Sequence, residues 1–290
     1  MLKKRIGAAL IVKDNWVVQS IGFKKYLPVG RPEIAVEFLN QWGIDEIILL
    51  DISATKNKTS VSPNLVSTCA KYCRVPLAVG GGITRIEQME NLLHSGADKI
   101  TLSSSLGSNK NLISAGARQF GDQCMVAVID FIRTEKGYYE VFDYLTGKSS
   151  GKSVIEYAKQ LEQAAAGEIL LQSVDRDGNY TGFEIELYRQ VCNHVHIPVI
   201  ALGGAGKAKH FIELFKNTEV SAACAGNIFH FTEHSVNMLK AQLVKEKNKI
   251  RMETHADYAH KQFDDKGRLL KEDDQYLKEL LFIKIEKEVI

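Results

Sequence analysis

At 290 residues, with 37 Lys+Arg against 35 Asp+Glu and a formal net charge of +2, the chain can bury one large α/β core or two ordinary ones. It lacks the basic excess of a nucleic-acid binder, and it shows no signal peptide and no apolar run of membrane-spanning length, so neither nucleic acid nor membrane is an expected partner. Five cysteines lie mostly inside apolar patterns, which reads as a reducing cytoplasm; Cys69 and Cys73 read as small buried hydrophobes rather than a metal pair, and no cofactor is called for.

Along the chain, strand-length apolar runs alternate with amphipathic helix-length segments. The runs are residues 5–12 (RIGAALIV), 45–51 (DEIILLD), 75–80 (VPLAVG), 98–105 (DKITLSSS), 124–130 (CMVAVID), 168–174 (EILLQSV), 197–203 (IPVIALG) and 220–226 (VSAACAG). Eight such units predict an α/β (β/α)8 TIM barrel over residues 1–250, with a doubly wound sheet as the alternative. Residues 13–31 read as a long first βα loop whose Lys24, Lys25 and Arg31 suit closure over phosphates, or as an ordinary solvated loop. After the third run, Thr84 and Glu87 read as a capping box ahead of an apolar face of Ile86, Met89, Leu92 and Leu93. Residues 131–147 predict a hairpin turning at Lys136 and Gly137, so that the next helix starts late. His194 and His196, before the seventh run, read as surface or interface residues. Residues 251–290 form a C-terminal extension, polar at first and apolar over 276–290, which packs on the barrel or on another chain.

The chain also repeats itself. An ungapped shift of 122 positions lays Glu46 on Glu168, Ile47 on Ile169, Leu49 on Leu171, Pro76 on Pro198, Gly81 on Gly203 and Gly82 on Gly204, as two half-barrels would. The glycine pairs follow the third and seventh runs. Ser103 and Ser104, with Ser105, follow the fourth, and Ala225 and Gly226, with Asn227, hold the matching place after the eighth. Small residues let backbone N–H groups and hydroxyls approach an anion, and a following helix N-terminus adds partial positive charge. Two such cradles across one barrel mouth suit a long ligand with a phosphate at each end.

Between the cradles, Asp130 ends an apolar run where a catalytic carboxylate is expected, though a turn cap is an equal reading. Its half-barrel mate is Ile11, which cannot exchange a proton. Asp51, Asp175 and Asp177 also end strands, and either bind substrate hydroxyls or order their own loops.

The motifs KKRI, GIDEIILLDI, VGGGI, GADKI, VID, GEILL, DRDG, GGAGK and FHF together resemble the HisF family, the cyclase subunit of imidazole glycerol phosphate synthase in histidine biosynthesis, over roughly residues 1–250. The resemblance implies a lyase and cyclisation reaction on a two-phosphate ribulose-type substrate. The ammonia comes from a HisH-like glutaminase docked on the N-terminal face and crosses the barrel. One of the family's two catalytic aspartates matches Asp130, and the other falls on Ile11. Family members also commonly carry Asn-Thr at Ser103 and Ser104, and a lysine at Gln19. The family's ammonia gate maps onto Arg5, Glu46, Lys99 and Glu168, each near the start of its strand; a structural salt cluster is the bland alternative. Gly7 and Ala9 above Arg5 leave lumen space unless bulky neighbours fill it. Such a retained entrance with an altered mouth implies a divergent member that delivers ammonia to another acceptor. Divergent relatives are associated with amidating acetamido sugars for surface polysaccharides, with an ATP-dependent sugar amidotransferase as further partner. A working cyclase, a non-catalytic ammonia conduit and, more remotely, an aminoaldose isomerase are the other readings.

Overall fold

Near-continuous apolar runs pair as parallel strands when helices cover one face and a barrel core the other. The computed structural model describes residues 3–109, 111–252, 258–265 and 267–279, and places every one of the eight runs in one closed sheet. Its strands are β1 (Arg5–Lys13), β2 (Trp16–Ile21), β3 (Lys25–Gly30), β4 (Glu46–Asp51), β5 (Leu77–Gly80), β6 (Lys99–Leu102), β7 (Met125–Arg133), β8 (Tyr139–Asp143), β9 (Lys148–Ser153), β10 (Glu168–Ser173), β11 (Val199–Leu202) and β12 (Ala222–Ala225). Strands β1, β4, β5, β6, β7, β10, β11 and β12 pair in parallel in that order, and β12 returns to β1. The fold is a (β/α)8 barrel.

Period-two alternation divides each strand between two cores. On β1, Ile6, Ala8, Leu10 and Val12 pack outward under the helices. Ala9 points into the lumen with Ile48, Ala78, Val126, Val128, Leu170, Ile200, Leu202, Ala222 and Cys224. The last barrel helix, Ser235–Lys245, is tied to the bottom of the sheet by a buried lysine: Lys240 Nζ lies 2.7 Å from Asp45 Oδ1 and 2.6 Å from the Gly43 carbonyl. Asp45 Oδ2 accepts the Ile6 N–H at 2.7 Å, so this ion pair also pins β1. Removing either partner would strand a buried charge, at a cost of about 3–5 kcal/mol.

Residues 13–31 are a β-hairpin rather than an open loop. Asp14 and Asn15, both at positive φ, make the two-residue turn that lets β2 fold back on β1 with Lys13 opposite Trp16. Strand β3 then pairs with β2. Lys24 and Lys25 are exposed at its tip, and Arg31 is paired with Glu33. The second hairpin forms as expected: β7 and β8 pair across the Lys136–Gly137 turn, β9 joins β8, and the helix Val154–Gln163 begins only afterwards.

The expected capping box is corrected. The helix spans Ile86–His94 with Arg85 as N-cap, and Gln88, not Glu87, closes it. Gln88 Oε1 accepts the N–H of Thr84 at 2.8 Å and of Arg85 at 3.1 Å. Glu87 is placed one residue too early to reach back.

The chain divides into two compact units, Met1–Ala259 and His260–Ile290. In the first, Ile250 is buried and bridged to Lys4, next to β1. The described part of the second holds a bridge between Phe263 and Leu269, an ion pair of Lys261 with Glu272 at 2.8 Å, and a helix Asp274–Glu279. Residues 280–290, most of the apolar terminal stretch, lie outside the described residues. Among the described residues no helix is long and apolar enough to cross a membrane.

Candidate active site

Strand register fixes which residues of the two halves correspond. Ile11 lies opposite Leu50 on β4, and Asp130 lies opposite Gln172 on β10. Leu50 and Gln172 are mates under the repeat, so Ile11 and Asp130 are mates as well. At the eighth strand the match moves by one residue. Ala78 pairs with Lys99, whereas its mate Ile200 pairs with Ala222; Gly80 pairs with Thr101, whereas Leu202 pairs with Cys224. The structural counterpart of Ser103 is therefore Gly226, not Ala225, and that of Ser104 is Asn227. Ala225 packs between sheet and helices. An ungapped comparison of the two halves misses this extra residue.

The first cradle lines a cavity of about 720 Å³ that brings together Gly81, Gly82, Ser103, Ser104, Asp51 and Asp130. Gly82 sits at φ +63°, where a Cβ would lie 1.8 Å from the Thr59 carbonyl oxygen, so only glycine lets the preceding loop close over this strand end. Its N–H donates to Thr55 Oγ1 at 3.1 Å, which sets that hydroxyl beside the cradle. Aromatic side chains from both hairpins roof the cavity. Phe23 meets Phe142 and Tyr144 edge-on, each at 6.1 Å, and Phe23, Tyr26 and Tyr144 line the space below. The β2–β3 hairpin thus contributes aromatic rings where the sequence had pointed to Lys24, Lys25 and Arg31; alternating apolar residues on either side of the Asp14–Asn15 turn were the available signal for the strands.

The second cradle is smaller, about 390 Å³, with Gly203, Gly204, Ala225, Gly226 and Asp177 on its wall. Gly204, at φ +94°, repeats the logic of Gly82, since a Cβ there would meet the Gly182 carbonyl oxygen at 2.1 Å. The two cavities share Ile11, Ser20 and Gln172, so they adjoin at these three side chains.

Asp130 is buried on the wall of the larger cavity, and Ser103 Oγ donates to its Oδ2 at 3.2 Å. Burial raises its carboxyl to about 7, against the opposing Ser103 hydrogen bond and with a smaller push from Asp177. A carboxyl titrating near neutrality can both take and give a proton, as acid–base catalysis requires. Ile11, at 9% exposure, offers only hydrocarbon to the space shared by the cavities.

The other three aspartates divide. Asp51 lines the first cavity, but its Oδ1 already accepts the N–H groups of Ser53 (2.9 Å) and Ala54 (3.2 Å), capping the short helix Ile52–Lys56. Asp177 anchors the first hairpin: its Oδ2 accepts from Ser20 Oγ at 2.6 Å and from the Phe23 N–H at 3.4 Å. Asp175 lines neither cavity; it is exposed and accepts the Arg133 N–H at 2.7 Å. All three order loops.

At the opposite end of the barrel Arg5, Glu46, Lys99 and Glu168 do meet. Arg5 Nη1 reaches Glu46 Oε2 and Arg5 Nη2 reaches Glu168 Oε1, both at 2.9 Å, while Lys99 Nζ holds Glu168 Oε2 at 2.8 Å. The two acids are half-barrel mates and the two bases are not. Burial raises the Glu46 carboxyl against the pull of Arg5. His194 and His196 lie on exposed surface before β11. Among the described residues no group of three or more His, Cys, Asp or Glu is placed to hold a metal ion.

A family model described as "Histidine biosynthesis protein" matches residues 5–235. The chain is 40% identical over 268 residues to the putative imidazole glycerol phosphate synthase subunit hisF2 of Vibrio vulnificus, covering 92% of this chain and 98% of that one. It is 41% identical over 253 residues to the imidazole glycerol phosphate synthase subunit HisF of Clostridium botulinum (strain Langeland), covering 87% of this chain and all of the relative.

Proposed function

Because the chain belongs to the histidine biosynthesis protein family, in its HisF branch, we propose that it is the cyclase-type subunit of an imidazole glycerol phosphate synthase. In this reading a HisH-like glutaminase docks on the N-terminal face, ammonia passes the ring of Arg5, Glu46, Lys99 and Glu168, and a ligand with two phosphates spans the cradles. The observation that carries it is Asp130, a buried carboxyl near neutrality in the cavity of the first cradle, which shares Ile11, Ser20 and Gln172 with the second. Gly81, Gly82, Ser103 and Ser104 would hold one phosphate, and Gly203, Gly204 and Gly226, with the backbone at Ala225, the other. Asp51 and Asp177 would shape the substrate site through the loops they order.

Ile11 favours a second reading. A two-acid reaction is left with one acid, and the position facing it is hydrocarbon. A chain that keeps the ammonia entrance but serves a different acceptor, such as an acetamido sugar amidated with an ATP-dependent partner, fits that change.

Purified protein supplied with ammonium salt and the two-phosphate ribulose-type substrate separates the two. Turnover that Asp130→Asn lowers by about 10²- to 10⁴-fold supports the cyclase. A protein inert in that assay that gains turnover on Ile11→Asp has kept the binding site and changed its acceptor, which is the second reading. No turnover from either overturns the cyclase reading and places the divergence in the binding groups as well as at Ile11.

A further inference from the structure

Three lumen residues stand side by side on adjacent strands, and one of them, Glu46, belongs to the charged ring. Gly7 on β1 pairs with Cys224 on β12 and with Glu46 on β4. Cys224 is fully buried in the lumen cluster and Glu46 is 4% exposed. A Cβ on Gly7 would lie 2.3 Å from Cys224 Sγ, 3.0 Å from Glu46 Cγ and 3.3 Å from Glu46 Oε1. The space that a glycine at position 7 leaves open is therefore taken by the cysteine sulfur and the glutamate stem. Of the two sequence readings, open lumen or neighbours filling it, the second holds beside Gly7.

The thiol is also aimed. Cys224 Sγ approaches Glu46 Oε1 at 3.9 Å as a weak donor, while Arg5 holds Oε2 at 2.9 Å. Burial, and next the charge of Glu46, push the thiol well above its ordinary range, so it stays protonated and able to donate. The lumen beyond is apolar, with Ala9, Ala78 and Ala222 among its small members. Neutral ammonia crosses such a medium at modest cost, whereas a bare ammonium ion does not. A carboxylate turned inward would retain ammonium; one held back leaves the way to the neutral molecule.

Resting on the ammonia passage of the reading above, we propose that Cys224, packed across Gly7 against the ring's own Glu46, narrows the passage just inside the ring. The Cys224 sulfur fills the space over Gly7, while Arg5 keeps the Glu46 carboxylate turned aside from the bore. Gly7 is the only residue type at that position that leaves room for both.

The test uses the full chain in complex with its glutaminase, on whichever of the two acceptors named above it turns over. Gly7→Ala should lower glutamine-driven product formation by about tenfold, because overpacking drives sulfur or carboxylate into the bore. Ammonium-driven formation, fed from the open mouth, should hold nearly constant. Adding Cys224→Ala removes the clashing sulfur and should restore most of the glutamine-driven rate. Equal losses in both rates, or no rescue, overturn the constriction. A crystal structure of Gly7→Ala decides independently of turnover: displaced Sγ or Glu46 carboxylate supports the proposal, and a shifted β1 with both side chains unmoved refutes it. Lys99→Met, in the ring itself, keeps the two levels apart. If it leaves glutamine- and ammonium-driven rates coupled, the passage reading fails; if it uncouples them while Gly7→Ala does not, only the constriction fails.

Discussion

The two half-barrels share a backbone plan and differ in what they project from it. Gly82 and Gly204 solve the same problem, a loop carbonyl pressed against a strand end, and Glu46 and Glu168 open the same strand and meet the same arginine. At the mouth the likeness stops. The first cradle is roomy and roofed by Phe23, Tyr26 and Tyr144, whereas the second is about half that volume, has no aromatic side chain on its wall and is lined largely by glycine and alanine. Of the mates Ile11 and Asp130, one is a hydrocarbon and the other an acid poised near neutrality. Scaffold symmetry is maintained by backbone contacts that tolerate few side chains; chemical asymmetry needs only single substitutions at positions pointing into shared space.

The largest expected effect comes from removing the asymmetric acid. Folded Asp130 titrates near 7 and an unfolded aspartate near ~4, so the folded chain holds that proton more tightly. Stability from this group is complete below about pH 4 and is lost as pH rises through the window to 7. Asp130→Asn removes the loss: its Tm should exceed the parent's at pH 8, by up to about 4 kcal/mol in stability, with the gap shrinking below pH 7 and closing toward about pH 4. A variant less stable than the parent at pH 8 would mean that Ser103 and its surroundings hold the ionised carboxylate better than burial opposes it.

A smaller effect tests whether the cradles act separately. Register makes Ser104 and Asn227 mates, so an acid at either puts a like charge into one cradle only. Ser104→Asp should weaken phosphate at the first site and Asn227→Asp at the second, each by about 1–4 kcal/mol, read from crystals soaked in phosphate or from titration. Asn227 also donates to the Ser20 carbonyl at 2.9 Å, so its variant should lose a little stability that the Ser104 variant keeps. Loss of both sites from one substitution would show a single continuous site and erase the distinction.

Much of this was legible before any coordinates. Eight continuous apolar runs could pair only as buried parallel strands, and Lys136–Gly137 announced the second hairpin. The first hairpin was hidden because its lysines drew attention from the Asp14–Asn15 turn. Other features depend on three-dimensional register. The one-residue offset at β12 shows only in strand pairing, and the volume beside Gly7 is settled by where Cys224 leans, which no residue pattern states. Asp51, Asp175 and Asp177 look alike at strand ends, and which loop N–H or hydroxyl groups each accepts from shows only in three dimensions.

The smallest effect concerns the helices after the two glycine pairs, where the repeat holds in position but not in chemistry. Gln88 and its mate His210 occupy the same place in the first turns of Ile86–His94 and Ala208–Asn217. Gln88 Oε1 takes the Thr84 N–H at 2.8 Å, and His210 Nδ1 takes the N–H of its mate Gly206 at 3.1 Å. An amide does this at any pH, but an imidazole nitrogen accepts only while unprotonated. Burial first, then the charge of Lys207, lowers the His210 pKa, so the folded chain resists the proton that the unfolded chain takes up. Its contribution is whole above about 6.5 and is lost as pH falls below that value. His210→Gln should therefore leave Tm at pH 8 nearly unchanged and raise it at pH 5.5, by about 1 kcal/mol, the worth of one capping bond. His230, pushed down to about 4 by burial, adds an acid slope common to both proteins, which cancels in their difference. If parent and variant lose stability in parallel between pH 8 and 5.5, His210 is not acting as a cap, and the helix starts of the two halves do not differ in this way.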